Sequence, residues 1–415
     1  MGSHVKGLRC RACGLDTDPI AAHVCTACFG PLEVVYDYDG MAAEVTREQI
    51  AAGPRSVWRY APLLPELPGA DPTARVDLQA GLTPLQPAPR LAAALGLREL
   101  WLKNDTTNPT WSFKDRVVTV ALTVARQLGF DTAACVSTGN LAGSVAAHAA
   151  SAGMDAVLLV PADLERAKIA TSAVYEPTLI AVEGSYDDCN RLGAEAAGER
   201  GWAFVNVNVR PYYAEGSKTL GYEIAEQLGW RMPRHVVAPM ASGSMLVKID
   251  KALQELVTTG LVADEPWTVS GAQAAGCAPI STAFAAGSDE VEPVKADTIA
   301  KSLAIGTPAD GPYAIDAVRR TGGWMQGCTD EEIVSAMRLL ARTEGIFGET
   351  AAGVTVACLQ RAVAAGEMDP DEPTVAIISG QGLKTLDALT DTMGPSTTIR
   401  PSIVALEDAL EDLFD

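Results

Sequence analysis

An α/β protein with parallel sheets covered on both faces, preceded by a small metal-binding unit, is what this sequence predicts. From Arg98 onward, short apolar runs alternate with Ala-rich stretches of helical length. Alternation of that kind builds parallel sheets with helices on each side. Ahead of it lie two cysteine knuckles in a segment of different composition. A chain of 415 residues is too long for one ordinary core, so two or three structural units are expected.

The first unit is residues 5–40. Cys10-Arg-Ala-Cys13 and Cys25-Thr-Ala-Cys28 are separated by eleven residues. Four thiolates suit tetrahedral zinc, and a Cys₄ set leaves the ion no open position for a substrate. The knuckles therefore read as a structural zinc ribbon, with redox or nucleic-acid chemistry and a set of free thiols as the other readings. Residues 41–90, rich in Pro, Gly and Ala, read as connector plus a first strand or two. Strands are then expected at Leu100–Lys103, Ala133–Ser137, Ala156–Pro161, Thr178–Val182, Ala203–Asn206, His235–Pro239, Thr268–Ala272 and Thr374–Ser379. Helices are expected at 113–128, 141–152, 186–200, 217–228, 245–259, 330–344 and 351–365, with a short acidic one at Glu407–Asp415. Met1–His4 reads as an expression remnant and is set aside.

Composition excludes several classes. A net charge of -20 argues against a nucleic-acid partner, because phosphate backbones require clustered Lys and Arg. No apolar run approaches the ~20 residues of a membrane span, and the N-terminus lacks the apolar stretch of a signal peptide. The remaining cysteines (Cys135, Cys189, Cys277, Cys328, Cys358) are scattered, which fits a reducing, cytoplasmic setting.

Chemistry concentrates in four segments. Asn108-Pro-Thr-Trp-Ser-Phe-Lys114-Asp-Arg116 follows a strand and opens a helix. The positive end of the helix dipole disfavours a protonated lysine there, and a Schiff base requires the neutral amine. Ser137-Thr138-Gly139-Asn140, Ala241-Ser242-Gly243-Ser244-Met245 and Ser379-Gly-Gln-Gly-Leu-Lys384 each lie at the carboxyl end of an expected strand. Small residues there let backbone N–H groups cradle anions, and open α/β sheets bind ligands at that edge. Together the loops suggest a cofactor phosphate plus a substrate carboxylate.

These pieces, with "EGSKTLGYEIAEQLG", "SLAIGTPADG" and "EGIFGETAAG", resemble the threonine synthase family of pyridoxal-phosphate (PLP) enzymes, whose fold is shared with the tryptophan synthase β-subunit. The likeness runs from about residue 80 to 390, and some relatives carry a zinc-ribbon-like start. It implies two parallel-sheet domains: a large one from 41–127 and 221–395, and a small mobile one from 128–220, with 396–415 as a tail. It implies Lys114 as the Schiff-base lysine and proton-transfer base, and Asn140 beside the cofactor 3′-oxygen. Ala241, Ser242, Gly243, Ser244 and Met245 would hold the cofactor phosphate, and Ser379 would face the pyridine nitrogen. Ser137, Thr138 and Gly139 would bind the substrate α-carboxylate. The implied reaction turns O-phospho-L-homoserine and water into L-threonine and phosphate; a related PLP-dependent β-replacement or a threonine/serine dehydratase is the alternative. A small-molecule amino-acid substrate and a homodimer are expected.

The chain departs from the family pattern at three places. Trp111 stands where many relatives have Gly, and Leu141 where some have a phosphate-binding Thr. Tyr213 replaces the Arg that relatives set on the substrate phosphate. Arg210, Lys218 and Lys168 are the candidates to compensate, Arg210 foremost because a guanidinium binds phosphate through two donors. His148 reads as packing, Asp187 and Asp188 as a helix start, and Glu344 and Glu349, flanking a Gly-Ile-Phe turn, as structural, with a place facing the cofactor ring as the other reading.

Overall fold

The computed structural model describes residues 3–414 apart from His23, Thr138, Glu165, Ser185, Asp391 and Thr392. Three sheets organise it. β1 (Val5–Cys10), β2 (Asp16–Thr17) and β3 (Leu32–Tyr36) form an antiparallel ribbon in the order β2-β1-β3. The largest sheet contains β4 (Leu85–Pro87), β5 (Leu100–Asn104), β10 (His235–Pro239), β11 (Thr268–Ala274), β12 (Met325–Cys328) and β13 (Thr374–Ile378). Its order is β12-β11-β10-β13-β5-β4, parallel except for the β4 edge. A second parallel sheet, β8-β7-β6-β9, is built from β6 (Thr132–Val136), β7 (Asp155–Pro161), β8 (Thr178–Val182) and β9 (Ala203–Phe204).

Alternation along the central strands divides the core. Val236, Ala238, Val375 and Ile377 belong to one apolar cluster; Val237, Ala376 and Ile378 belong to the other. Successive side chains of a strand point to opposite faces, so a strand buried on both faces reads as one unbroken apolar run. Helices Asp330–Glu344 and Thr350–Ala364 cover one face, Ser244–Thr258 and Gly311–Thr321 the other. Among the described residues no helix is long and apolar enough to cross a membrane.

Every expected strand from Leu100 to Ser379 is present, although Ala203–Asn206 shortens to Ala203–Phe204. β12 and the helices Arg210–Glu215, Pro279–Ala285 and Gly311–Thr321 were not expected. The final helix starts earlier than expected, at Ile403. His4, set aside in the sequence, is buried, and its carbonyl accepts from the Asp37 N–H (2.8 Å).

The ribbon brings Cys10, Cys13, Cys25 and Cys28 together, with all four sulfurs within 4.8 Å of one another. The Cys13 N–H points to the Cys10 sulfur (3.5 Å) and, foremost among several contacts, lowers that thiol to about 6. A tetrahedron of such thiols fits zinc. The ribbon also grips the rest of the chain. Arg11, inside the first knuckle, stacks on the Tyr313 ring (3.4 Å). Glu33 pairs with Lys248 (2.6 Å) and Lys251 (3.0 Å), and the Tyr36 hydroxyl donates to Glu215 (2.7 Å).

Candidate active site

The carboxyl ends of both parallel sheets face one cavity of about 240 Å³. The segments after β5, β6, β9, β10 and β13 line it, contributing Lys114, Ser137 and Asn140, Asn206, Ala241–Met245, and Ser379 respectively.

Lys114 begins the helix Lys114–Gln127, and its neighbours fix its direction. Asp115 accepts from Thr110 N (2.7 Å), Thr110 Oγ1 (2.6 Å) and Ser144 Oγ (2.6 Å), which locks the turn ahead of the lysine. Arg116, fully buried, pairs with Asp105 (2.7 Å) and Glu223. Burying that guanidinium without such partners would cost several kcal/mol. The motif's last two residues are thus anchors that aim the lysine. Burial pushes the Lys114 amine down to about 8, against the opposing pull of Glu349. Its Nζ lies 2.9 Å from the Tyr213 hydroxyl.

Ser137 to Asn140 form the turn into the helix Asn140–Ala152. The Ser137 hydroxyl accepts from Gly139 N and Ala142 N, both at 2.9 Å. Gly139 has φ 122°, and a Cβ there would lie 2.2 Å from the stem of Lys168, so only glycine fits. Thr138 lies outside the described residues. Asn140 donates to Glu349 (2.8 Å), while its side-chain oxygen is buried with no hydrogen-bond partner. Ser379 donates to the other Glu349 oxygen (3.2 Å). A Cβ on Gly380 would come within 2.5 Å of that carboxylate, which explains a glycine directly after Ser379.

Ala241–Met245 lead into the helix Ser244–Thr258, whose N-cap Gly243 has no side chain to cap it; the Ser242 hydroxyl accepts from Ser244 N at 3.4 Å. First-turn amides of a helix attract an anion. Arg210 and Tyr213 come from the helix Arg210–Glu215, with Arg210 held by Asp310 (2.6 Å). Burial keeps the Tyr213 phenol above its ordinary value.

Lys114, Asn140, Ala241, Ser242, Gly243, Ser244, Met245, Ser379, Ser137 and Arg210 all line the cavity. Lys218 does not. It is fully buried between Glu215 (2.7 Å) and Glu255 (2.9 Å) and donates to the Leu63 carbonyl (2.9 Å), so its charge is already satisfied away from the wall. Lys168 is buried against Gly139 rather than exposed. His148 packs as expected, its ring against the Ser144 carbonyl (2.9 Å). Glu344 accepts from Leu91 N (2.6 Å), a structural role. Glu349, read from the sequence as structural, sits on the cavity wall. The one local signal for it is its place at the N-cap of Thr350–Ala364, beside a glycine.

A depressed lysine, a helix start with glycine at its N-cap and an unsatisfied asparagine oxygen on one cavity fit an aldehyde that carries a phosphate. The comparisons agree. Residues 76–380 match the family model described as "Pyridoxal-phosphate dependent enzyme". The chain is 38% identical over 382 residues to threonine synthase of Methanocaldococcus jannaschii, covering 92% of this chain and 93% of that one. It is 34% identical to threonine synthase of Methanosarcina acetivorans, covering 97% and 98%. Among solved structures it is similar to a fungal L-serine ammonia-lyase from Rhizomucor miehei, at 20% identity and a TM-score of 0.64 over 75% of this chain and 97% of that one.

Proposed function

Because this chain belongs to the pyridoxal-phosphate dependent enzymes, in their threonine synthase family, we propose that it converts O-phospho-L-homoserine and water into L-threonine and phosphate by β,γ-replacement. The observation that carries this reading is Lys114 itself. It is an amine lowered to about 8 on the wall of a cavity ringed by glycine- and serine-rich loops. Bound pyridoxal phosphate supplies an electron sink conjugated to the substrate α-carbon. The protein supplies orientation, charge and proton transfer.

Lys114 would hold the cofactor and would serve as the base for the substrate α-proton. Asn140, with one amide N–H on Glu349, would donate the other to the cofactor 3′-oxygen. The amides of Ala241–Met245, with the Ser242 and Ser244 hydroxyls, hold the cofactor phosphate, and Ser379 stands at the pyridine nitrogen. The turn Ser137–Gly139, Thr138 included, receives the α-carboxylate. Arg210 receives the γ-phosphate after leaving Asp310. The lobe of residues 128–220 closes on the lobe built from 41–127 and 221–395, and 396–415 forms a tail. Zinc on Cys10, Cys13, Cys25 and Cys28 closes the ribbon. A cytoplasmic homodimer completes the reading.

One observation favours a second reading. The Arg210–Asp310 pair already neutralises the one guanidinium on the wall among the described residues, and a substrate without a γ-phosphate would leave that pair intact. β-Replacement on O-phosphoserine, or dehydration of threonine or serine, fits that state. Offering O-phosphohomoserine, O-phosphoserine and threonine separately decides between them. Threonine plus free phosphate from the first alone is expected, and no turnover of it removes the reading. Lys114→Ala abolishes the absorbance band that the wild-type chain gains with pyridoxal phosphate; a persisting band moves the anchor elsewhere.

A further inference from the structure

The contact between Lys114 and Tyr213 carries more than the anchoring role. Resting on the threonine synthase reading above, we propose that Tyr213 is the acid that protonates the departing group at the substrate γ-carbon, recharged by Lys114 across their shared hydrogen bond.

Three observations carry this. The Lys114 nitrogen and the Tyr213 hydroxyl are 2.9 Å apart, so a proton passes between them without rearrangement. Tyr213 shares the helix Arg210–Glu215 with Arg210, three residues earlier, and both line the cavity. Residues so spaced share a helix face, so an anionic leaving group drawn to Arg210 arrives beside the phenol. The surroundings suit donation. Glu349 and Cys135 face Lys114, and Cys135, Arg210 and Tyr186 face Tyr213. Burial keeps the phenol protonated through neutral pH, while Lys114, at about 8, accepts and returns protons near neutrality.

The protons balance. The α-proton taken earlier would first pass from Lys114 to the conjugated system of the bound cofactor, which frees the amine. The amine then takes the proton from the β-carbon, and that C–H pair becomes the β,γ double bond. The γ-carbon–oxygen bond breaks with its pair on oxygen. The phenol gives its proton to that oxygen, and the Lys114 ammonium returns one to the phenolate. One proton has moved from carbon to the leaving phosphate, and both side chains are as they began.

The test is Tyr213→Phe, made in the holoenzyme and checked for retention of the cofactor band. Exchange of the substrate α-hydrogen with deuterated solvent stays near the parent rate, while phosphate release falls by about 100-fold or more. KM changes little, because Arg210 is untouched. A γ-chloro analogue, whose leaving halide needs no proton, restores elimination to near the parent rate. Equal loss with both leaving groups, or loss of α-exchange alongside release, overturns the assignment. A separate readout uses the cofactor-free protein with ¹³C-methylated lysines, the Lys114 signal being the one missing from Lys114→Arg. Its titration midpoint falls in Tyr213→Phe because the ammonium loses an acceptor; an unmoved midpoint means the bond is absent, and the proposal fails. A parent enzyme that neither exchanges hydrogen nor releases phosphate ends the threonine synthase reading and this assignment with it. A competent parent with an unimpaired Tyr213→Phe ends the assignment alone.

Discussion

Glu349 touches three of the groups that define the cavity. It accepts from Asn140 and Ser379 and pulls the Lys114 amine upward against the effect of burial. A carboxylate favours the ammonium form of its neighbour. Glu349→Gln removes that influence, so the Lys114 midpoint drops below about 8. Capture of pyridoxal phosphate requires the neutral amine, so uptake by the cofactor-free protein rises with pH through this midpoint. The variant's uptake curve is therefore displaced toward lower pH. Absorbance on mixing, followed across the neutral and alkaline range, measures the displacement; an unmoved or upward midpoint rules out the carboxylate's influence. Lys114 and its loops were legible in the sequence because each lies in a short motif at a strand end. Glu349 and Tyr213 were not, since their meaning comes from partners 209 and 99 residues away in the chain. Lys218 misled for the same reason: a polar helix start hides a lysine whose carboxylates arrive from elsewhere in the fold.

The helix Arg210–Glu215 is the element on which the site turns. At six residues it is below the length that holds a helix in isolation, which is why no sequence pattern announced it. Tertiary contacts keep it. Tyr212 donates to the Ile20 carbonyl (3.1 Å), and Glu215 joins Lys218 (2.7 Å), Lys248 (2.6 Å), Lys251 (3.2 Å) and the Tyr36 hydroxyl (2.7 Å). Burial alone would raise the Glu215 carboxyl, but the three ammonium groups hold it well below its ordinary value. Glu215→Ala leaves those ammonium groups facing one another in the interior. Losing one partner of a buried pair costs roughly 3–5 kcal/mol, and urea unfolding should show a loss of that size. Arg210 and Tyr213 lose their support at the same time, so KM for the phosphorylated substrate rises. A variant as stable as its parent would show that the cluster does not hold the helix. Doubly buried strands such as β10 and β13 were legible as apolar runs. β12 was not, because Met-Gln-Gly-Cys is a half-polar edge strand that its neighbour orders.

At the scale of the whole molecule, the ribbon clamps two elements that meet at the cavity wall. Arg11 stacks on Tyr313, in the helix that starts one residue after Asp310, while Glu33 and Tyr36 reach the helix of Arg210 through Lys248 and Glu215. The Arg210–Asp310 pair lies between these two grips. If the four cysteines hold zinc as proposed, stripping it loosens both. About one zinc per chain is expected by elemental analysis, and its removal by a strong chelator lowers the thermal midpoint and weakens substrate binding while the cofactor band persists. An unchanged midpoint after complete zinc loss would falsify a structural ribbon. The ribbon itself was legible from cysteine spacing. Its attachment was not, because nothing local in residues 5–40 names Tyr313 or Lys248 as a partner.

That attachment sets an order of events during synthesis. The ribbon's strands end at Tyr36, yet its partners are Glu215, Lys248 and Tyr313. At ordinary translation rates the first unit waits roughly tens of seconds before its last partner leaves the ribosome. During that wait its thiols are exposed to metal and to oxidants alike, and whichever arrives first decides whether the clamp can form. A chain made without metal on these cysteines would thus complete its two parallel sheets and leave them unclasped.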